Sequence, residues 1–537
     1  MEGFSRSEIP LKHYYDLADI KHITAGNVPK PGEYPYTRGR RSQAAPTGGW
    51  IQRELSGEGD PAKSNEQIKF LLSKGQTGID IIGDSPTMAM MDPDHPLAVH
   101  AVGTQGVSLC CKEDYLQLFK HIPLDAISIS NSLPPVFALT GLYLAAEHAG
   151  ISPDKLRGSL IQAPFYSEDC GYATHLPFGL RVRLAADVIE FCALKMPKFH
   201  SCVEDTYFIS ESGLTAVEEM ALGFVELRFL VRELLRRGVN IDSFAPRIAI
   251  LLNCSMDFFE EIAKIRATRR LFAKMMKEEF GAKKPQSWSV VITSHTSGIS
   301  LTAQQPVNNI VRGAIQALAL VLGGVQALEI SAFDEAFRTP SPESHLVGLR
   351  TQQVIELETG VSKVVDPLGG SFYVEYLTEE IEKRIWKMVQ DIEAKGDPAA
   401  LSDQGWFRSV FQNAMERYSK QVSQGELQVV GVNVHQVPPE EDTLLKEVAE
   451  QKIRPYYERI ARIKEFKDRR NIAQLKQALH RLFVQALSPG QNLVPAVIEA
   501  TESNATMMEI TGTLRMAYGS AFDPHGLVQP PVEGVER

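Results

Sequence analysis

What this chain lacks narrows it first. No run of about 18 apolar residues occurs, and the opening MEGFSRSEIPLKHYYD has no apolar core of signal-peptide length. Membrane insertion and secretion are therefore not expected. Cysteine is sparse: Cys110, Cys111, Cys170, Cys192, Cys202 and Cys254 form no C-x-x-C pair and no metal-ligand spacing. That excludes a zinc site and a disulfide framework as readings and points to a reducing cytoplasm. Basic residues are outnumbered, 56 against 66 acidic, for a net charge of -10, and no basic stripe tracks along a helix. Nucleic acid is not an expected partner, although a local phosphate site is compatible with this balance.

What remains is ordinary globular chain, 44% hydrophobic and 23% charged over 537 residues. Residues 1–60 are rich in Gly, Pro and Arg, as in KPGEYPYTRGRRSQAAPTGG, and read as an extended arm lying on something else. From about residue 76, short apolar or alternating runs recur between helical stretches: GIDII, VSLCC, AISIS, GSLIQA, HSCVED, RIAILL, SVVITSH and ALEISAF. Eight strand candidates separated by amphipathic helices, such as 213–237 and 256–280, predict parallel βαβ units closing into a TIM (β/α)8 barrel over residues 61–395. Residues 396–537 read as a helical, charged C-terminal region.

The strands alternate in an unusual way. In AISIS, Ile127 and Ile129 share one face and Ser128 and Ser130 the other; in SWSVVITSH the odd positions include Ser287, Ser289, Thr293 and His295. In HSCVEDTY the same spacing aligns Ser201, Val203, Asp205 and Tyr207. A barrel of this kind normally fills its axis with branched aliphatic side chains. Small hydroxyl residues there leave room for a thin, hydrogen-bonding group, of which the pantetheine arm of coenzyme A is one.

Several motifs carry a resemblance: YPYTRG at 34–39, KGQTGIDI at 74–81, IPLDAISIS at 122–130, FAPRIAILL at 244–252, HTSGISLTAQQP at 295–306, DEAF at 334–337 and RTQQVIELETGVSKVVDPLGGSFYVEYLT at 350–378. On these the chain resembles the substrate-binding chain of the adenosylcobalamin-dependent acyl-CoA mutases, the methylmalonyl-CoA mutase family. The resemblance implies a radical 1,2-rearrangement of an acyl-CoA inside a serine-lined barrel. Single-chain members add a cobalamin domain marked D-x-H-x-x-G; here DPHGLV at 523–528 lacks the final glycine. The expectation is a split enzyme: a large subunit that receives adenosylcobalamin from a small cobalamin-binding subunit, as a heterodimer or heterotetramer.

The resemblance also assigns residues. Tyr207 matches the pocket tyrosine, Arg247 the arginine of an APR motif, Glu335 the acid that holds the adenosyl ribose, and Arg53 and Gly57 positions beside the substrate and the adenosyl group. The departures say more. Phe208 stands where the family has the histidine that hydrogen-bonds the thioester carbonyl, Leu55 where it has a tyrosine, and Gly171 where it has the arginine that pairs with a substrate carboxylate. Gly83 and Ile161 replace a phenylalanine and a glutamine, while His295 and His200 replace a glutamine and an asparagine. Lost volume at Leu55, Gly83 and Gly171 implies an acyl group bulkier than methylmalonyl: branched, hydroxylated, alkyl- or aryl-substituted. His295 or Tyr207 is then the expected catalytic donor to the carbonyl. The alternative is a non-catalytic paralogue that scaffolds an active chain.

Overall fold

The computed structural model describes residues 3–20, 29–44, 49–170, 174–442, 454–532 and 534–535, the side chain of Cys170 apart. Nine strands form one sheet: β1 (Ile51–Arg53), β2 (Leu55–Ser56), β3 (Gly78–Ile82), β4 (Ser128–Ser132), β5 (Arg157–Gln162), β6 (Phe199–Asp205), β7 (Ile248–Leu252), β8 (Val291–His295) and β9 (Ala327–Glu329). Its order is β1-β9-β8-β7-β6-β5-β4-β3-β2. β1 and β2 are two pieces of one extended segment interrupted at Glu54; β1 pairs in parallel with β9 and β2 with β3, so this segment closes the barrel. Helices surround the sheet. Those used below are α1 (Pro61–Ser73), α2 (Lys112–Leu118), α3 (Pro135–His148), α4 (Phe178–Lys195), α5 (Thr206–Ser210), α6 (Ala216–Arg236), α7 (Phe258–Lys274), α8 (Asn308–Gly323), α9 (Pro342–Glu358) and α10 (Phe372–Glu393). Among the described residues no helix is long and apolar enough to cross a membrane.

Two strand assignments change. The closing segment 51–56 lies inside the stretch read as an arm, where Arg53, Glu54 and Ser56 interrupt any apolar run although all three are buried. VSLCC is not a strand: only Val107 makes bridges, to Gly59 and Gly83. The backbone N–H groups of Cys110 and Cys111 turn instead to Asp114 Oδ2, at 2.8 and 3.0 Å, as the chain caps α2.

The chain divides into two compact units. One comprises residues 55–203, 233–239 and 452–537. Its apolar layer joins Ile79, Ile81, Ile129, Leu160 and Phe199 of the strands to Leu139 and Leu142 of α3, Leu184 and Val188 of α4, and Leu479, Leu482 and Val497 of the C-terminal helices. Each such buried side chain contributes about 1.5–3 kcal/mol. The opposite strand face is polar. Leu55, Asp80, Ser130 and Ser159 fall in one register row, and Ser159 Oγ donates to Ser130 Oγ at 2.9 Å. The expected serine-lined face is present on β4. On β6 it shifts by one residue: Phe199 lies in the apolar layer and Ser201 shares a hydrogen bond with Cys192 of α4, so Ser201 faces the helices and His200 the other side.

The other unit comprises residues 1–54, 204–232 and 240–451. Here the segment 34–39 is tied to α7: Arg269 donates to the carbonyls of Tyr36 and Thr37 at 3.1 and 3.2 Å, and Arg38 Nε pairs with Asp366 at 2.7 Å. Arg266 of α7, fully buried, joins Asp366 to Glu375 of α10.

Packing in the first unit is close enough to test. A Cβ on Gly141 of α3 would lie 2.2 Å from the ring of Tyr115 in α2. Gly141→Ala should therefore cost about 1–3 kcal/mol, read as a lower urea midpoint at unchanged slope. An unchanged midpoint would contradict this packing.

Candidate functional site

The site is built where β8 and β9 end and α5 begins, all within the second unit. His295 closes β8 and Glu329 closes β9, with Cα atoms in register; Glu329 is in turn in register with Arg53 of β1. Neighbours in a parallel row share a face, so His295, Glu329 and Arg53 point the same way. His295 Nε2 lies 3.2 Å from Glu329 Oε2, and both side chains are buried. Arg53 Nη2 donates to Thr293 Oγ1 at 2.9 Å, which places Thr293 on that face too.

Tyr207 enters from the first turn of α5. Asp205 caps this turn by accepting the Phe208 N–H at 3.0 Å, and Thr206 Oγ1 donates to the Leu251 carbonyl at 2.9 Å, pinning α5 over the end of β7. The Tyr207 ring then packs 4.8 Å from the His295 ring at a 60° tilt. Burial, and after it the carboxylates of Glu211 and Glu335, push the Tyr207 phenol well above its ordinary range, so it is a donor and not a base.

A second set of carboxylates surrounds this pair. Glu211 accepts from Asn253 Nδ2 at 2.7 Å, from Ser297 Oγ at 3.0 Å and from the Ile299 N–H at 2.6 Å. Asn253 is itself held by Glu219 and by Lys264, whose buried ammonium lies 2.8 Å from Glu219 and 2.6 Å from Glu261. A chain of polar and charged groups thus runs from α6 and α7 to the residue four places after Tyr207. Gly298 completes it: a Cβ there would approach Glu211 Oε2 to 2.8 Å. Glu335, half-buried in the turn after β9, accepts the Ala332 N–H at 3.0 Å; burial, then Glu329 and Glu211, push it up to about 7. Glu54, fully buried against Gly348 and Gln352 of α9, is held well above its ordinary range by burial and next by Glu329.

The expected site residues divide. The structure brings together Tyr207, His295, Arg53 and, through its field on Tyr207, Glu335. Phe208 is half-buried one residue on. Arg247 is elsewhere: it ends the turn that precedes β7, at the opposite end of the strands. There it joins Arg40 and Arg41; burial, then Arg41 and Arg247, lower the Arg40 guanidinium to about 10, and Arg40 Nε donates to Ser289 Oγ at 2.9 Å. In the other unit, Leu55 and Ile161 are half-buried on the polar strand face, Leu55 in register with Asp80 and Ile161 two residues beyond Ser159 on β5, and His200 lies on the corresponding side of β6. Gly171 lies outside the described residues.

Two glycines have local reasons. A Cβ on Gly83 would meet Thr87 at 2.7 Å and Leu133 at 2.9 Å, so Gly83 opens no space and its expected contribution to a larger pocket is withdrawn. Gly57, at φ +158°, would set a Cβ 2.2 Å from the Ile82 carbonyl oxygen; chain packing accounts for it without a cofactor. The structure also gathers Cys110, Cys111 and Asp114 within ligand distance of one another, which their spacing did not announce. Arg459 fills that position, with Nη2 3.2 Å from Cys110 Sγ and paired to Asp114. Sequence reasoning missed Glu329, Glu211 and Glu54. An acid at the third position of ALEISAF, beside the strand that ends in His295, was the available signal for the first.

The methylmalonyl-CoA mutase family pattern matches residues 4–520. The chain is 35% identical over 521 residues to the 2-hydroxyisobutanoyl-CoA mutase large subunit of Aquincola tertiaricarbonis, covering 96% of this chain and 91% of that one. It is 36% identical over 513 residues to the methylmalonyl-CoA mutase of Rhizobium meliloti (strain 1021), covering 95% and 71%. With the methylmalonyl-CoA mutase large subunit of Streptomyces virginiae it shares 33% over 519 residues, covering 95% and 70%.

The raised carboxyls have a measurable consequence. The folded Glu335 carboxyl holds its proton up to about 7 against an ordinary 4.5, so folding takes up a proton between those values. That contribution is fully present below the lower value and is lost as pH rises through the upper one. The urea midpoint should fall between about pH 5 and about pH 8, and Glu335→Gln, which cannot titrate, should fall less. An equal fall in the variant would contradict the assignment.

Proposed function

The chain belongs to the methylmalonyl-CoA mutase family, and on that premise we propose that it is the catalytic large subunit of a mutase that moves the thioester group of a bulky acyl-CoA to the neighbouring carbon. The observation that carries this reading is the constellation of half-buried Tyr207 with buried His295 and Glu329 at the C-terminal ends of barrel strands, the position at which barrels of this kind place their chemistry. A drifted scaffold would not be expected to keep this constellation and the polar network behind it.

The chain's own residues divide the work along the strands. Arg40, Arg41 and Arg247 form a basic cluster suited to the phosphates of coenzyme A. From Ser289, two residues before β8, to His295 at its end the extended chain spans about 20 Å, a length that an extended hydrogen-bonding arm can follow. At the far end Tyr207 or His295 donates to the thioester carbonyl, where charge develops as the group migrates. Phe208, in place of a donor, forms an apolar wall against the acyl group. The likeness to a 2-hydroxyisobutanoyl-CoA mutase large subunit supports a branched or hydroxylated acyl group.

Family members depend on cobalamin, and adenosylcobalamin when bound supplies the organic radical that begins the rearrangement. Glu335 fits its ribose: one oxygen takes the Ala332 N–H, and the half-buried carboxyl keeps acceptor capacity for a sugar diol. The relatives described as large subunits support a separate small subunit that carries the cofactor. The complex would be a heterodimer or heterotetramer.

The direct test is turnover of an acyl-CoA panel by this chain with its small subunit and adenosylcobalamin. A branched or hydroxylated acyl-CoA should show the highest specificity constant, while the isolated chain should bind no cobalamin tightly and turn over nothing. Best turnover of methylmalonyl-CoA, or stoichiometric cobalamin on the isolated chain, would overturn it. Within that assay His295→Ala should lower turnover roughly 100- to 1000-fold on every substrate. Phe208→Ala should reorder the substrates and leave substantial activity on some. A kinetically silent His295→Ala in a folded chain would return His295 to a packing role.

A further inference from the structure

Glu329 stands beside His295 but takes no part in the binding or hydrogen-bond donation described so far. It is 3% exposed, at the last position of β9, in register with His295 on one side and Arg53 on the other. Its Oε2 lies 3.2 Å from His295 Nε2, yet that buried oxygen receives no in-line hydrogen bond. The neighbouring guanidinium of Arg53 sends Nη2 to Thr293. The result is a buried carboxylate with acceptor capacity on the face that carries His295.

Its charge reaches the surrounding groups. Glu329 helps to push up Glu335, Glu54 and Tyr207, three groups on three different elements. An acyl carboxylate brought against Tyr207 and His295 would meet the same field. A hydroxyl in that place would donate a hydrogen bond to an acceptor that lacks one.

We propose that Glu329 sets the charge selectivity of the acyl pocket, turning away acyl groups that carry a free carboxylate and accepting a hydrogen bond from those that carry a hydroxyl. This rests on the acyl-CoA reading of the site. It narrows the acyl group to hydroxyacyl thioesters of coenzyme A and names the residue that selects them. The selection is electrostatic, so it depends on the charge of residue 329 and not on its volume.

The test compares dissociation constants of methylmalonyl-CoA, isobutyryl-CoA and 2-hydroxyisobutanoyl-CoA for the chain in complex with its small subunit, by calorimetry. Wild type should bind the hydroxyacyl thioester best and methylmalonyl-CoA worst. Glu329→Gln, nearly isosteric, should raise the affinity for methylmalonyl-CoA relative to 2-hydroxyisobutanoyl-CoA by about tenfold or more, as expected for removing a close charge at an intermediate dielectric. Glu329→Asp should keep the wild-type order, which a merely structural role would not distinguish from Gln. An unchanged ratio in folded Glu329→Gln overturns the inference and leaves the acyl-CoA reading intact, as does a wild type that prefers methylmalonyl-CoA. If wild type binds none of the three, the acyl-CoA reading falls and the inference with it.

Discussion

The arrangement depends on one buried contact, the imidazole of His295 against the carboxylate of Glu329 across two parallel strands. A charge placed there costs several kcal/mol in lost hydration unless partners offset it. The register of β8 and β9 supplies the partner, and the ring of Tyr207 covers it. The acids nearby follow from the same contact. With Glu329 in place, Glu54 and Glu335 hold their protons more tightly, and the Tyr207 phenol stays a donor.

Rigidity comes from behind. Lys264 is buried between Glu219 and Glu261, and through Asn253 this charged group fixes Glu211, which in turn anchors the loop after β8. Such networks are weak evidence for stability, since hydrophobic replacements often stabilise as well. Their value here is positional: the members hold one another in one geometry, and Glu211 at its end follows the turn that carries Tyr207. A donor misplaced by about 1 Å loses much of its effect on a reacting carbonyl.

Much of this was legible in the sequence, and the failures have physical causes. Parallel strands separated by amphipathic helices announce a barrel, and the period-2 alternation in AISIS and SVVITSH identified the polar face on β4 and the Thr293–His295 face on β8. The closing strand was hidden because it carries Arg53, Glu54 and Ser56, which read as surface until the barrel buries them. VSLCC looked like a strand because nothing local shows that Asp114 captures its backbone N–H groups. In HSCVED, choosing the axial face required knowing that Ser201 meets Cys192 on α4. Gly83 is the most instructive case. A missing side chain suggests a cavity only if nothing fills it, and Thr87 and Leu133 do.

The account's central claim is that these residues guide the migration of a thioester carbon. Carbon-13 NMR tests it most directly, using a branched or hydroxylated acyl-CoA labelled at the thioester carbonyl and at the carbon next to it, with the chain, its small subunit and adenosylcobalamin. The account predicts loss of the one-bond coupling between the two labels as the thioester group moves to the adjacent carbon. Turnover that preserves that coupling would mean that no carbon–carbon bond migrates and would contradict it.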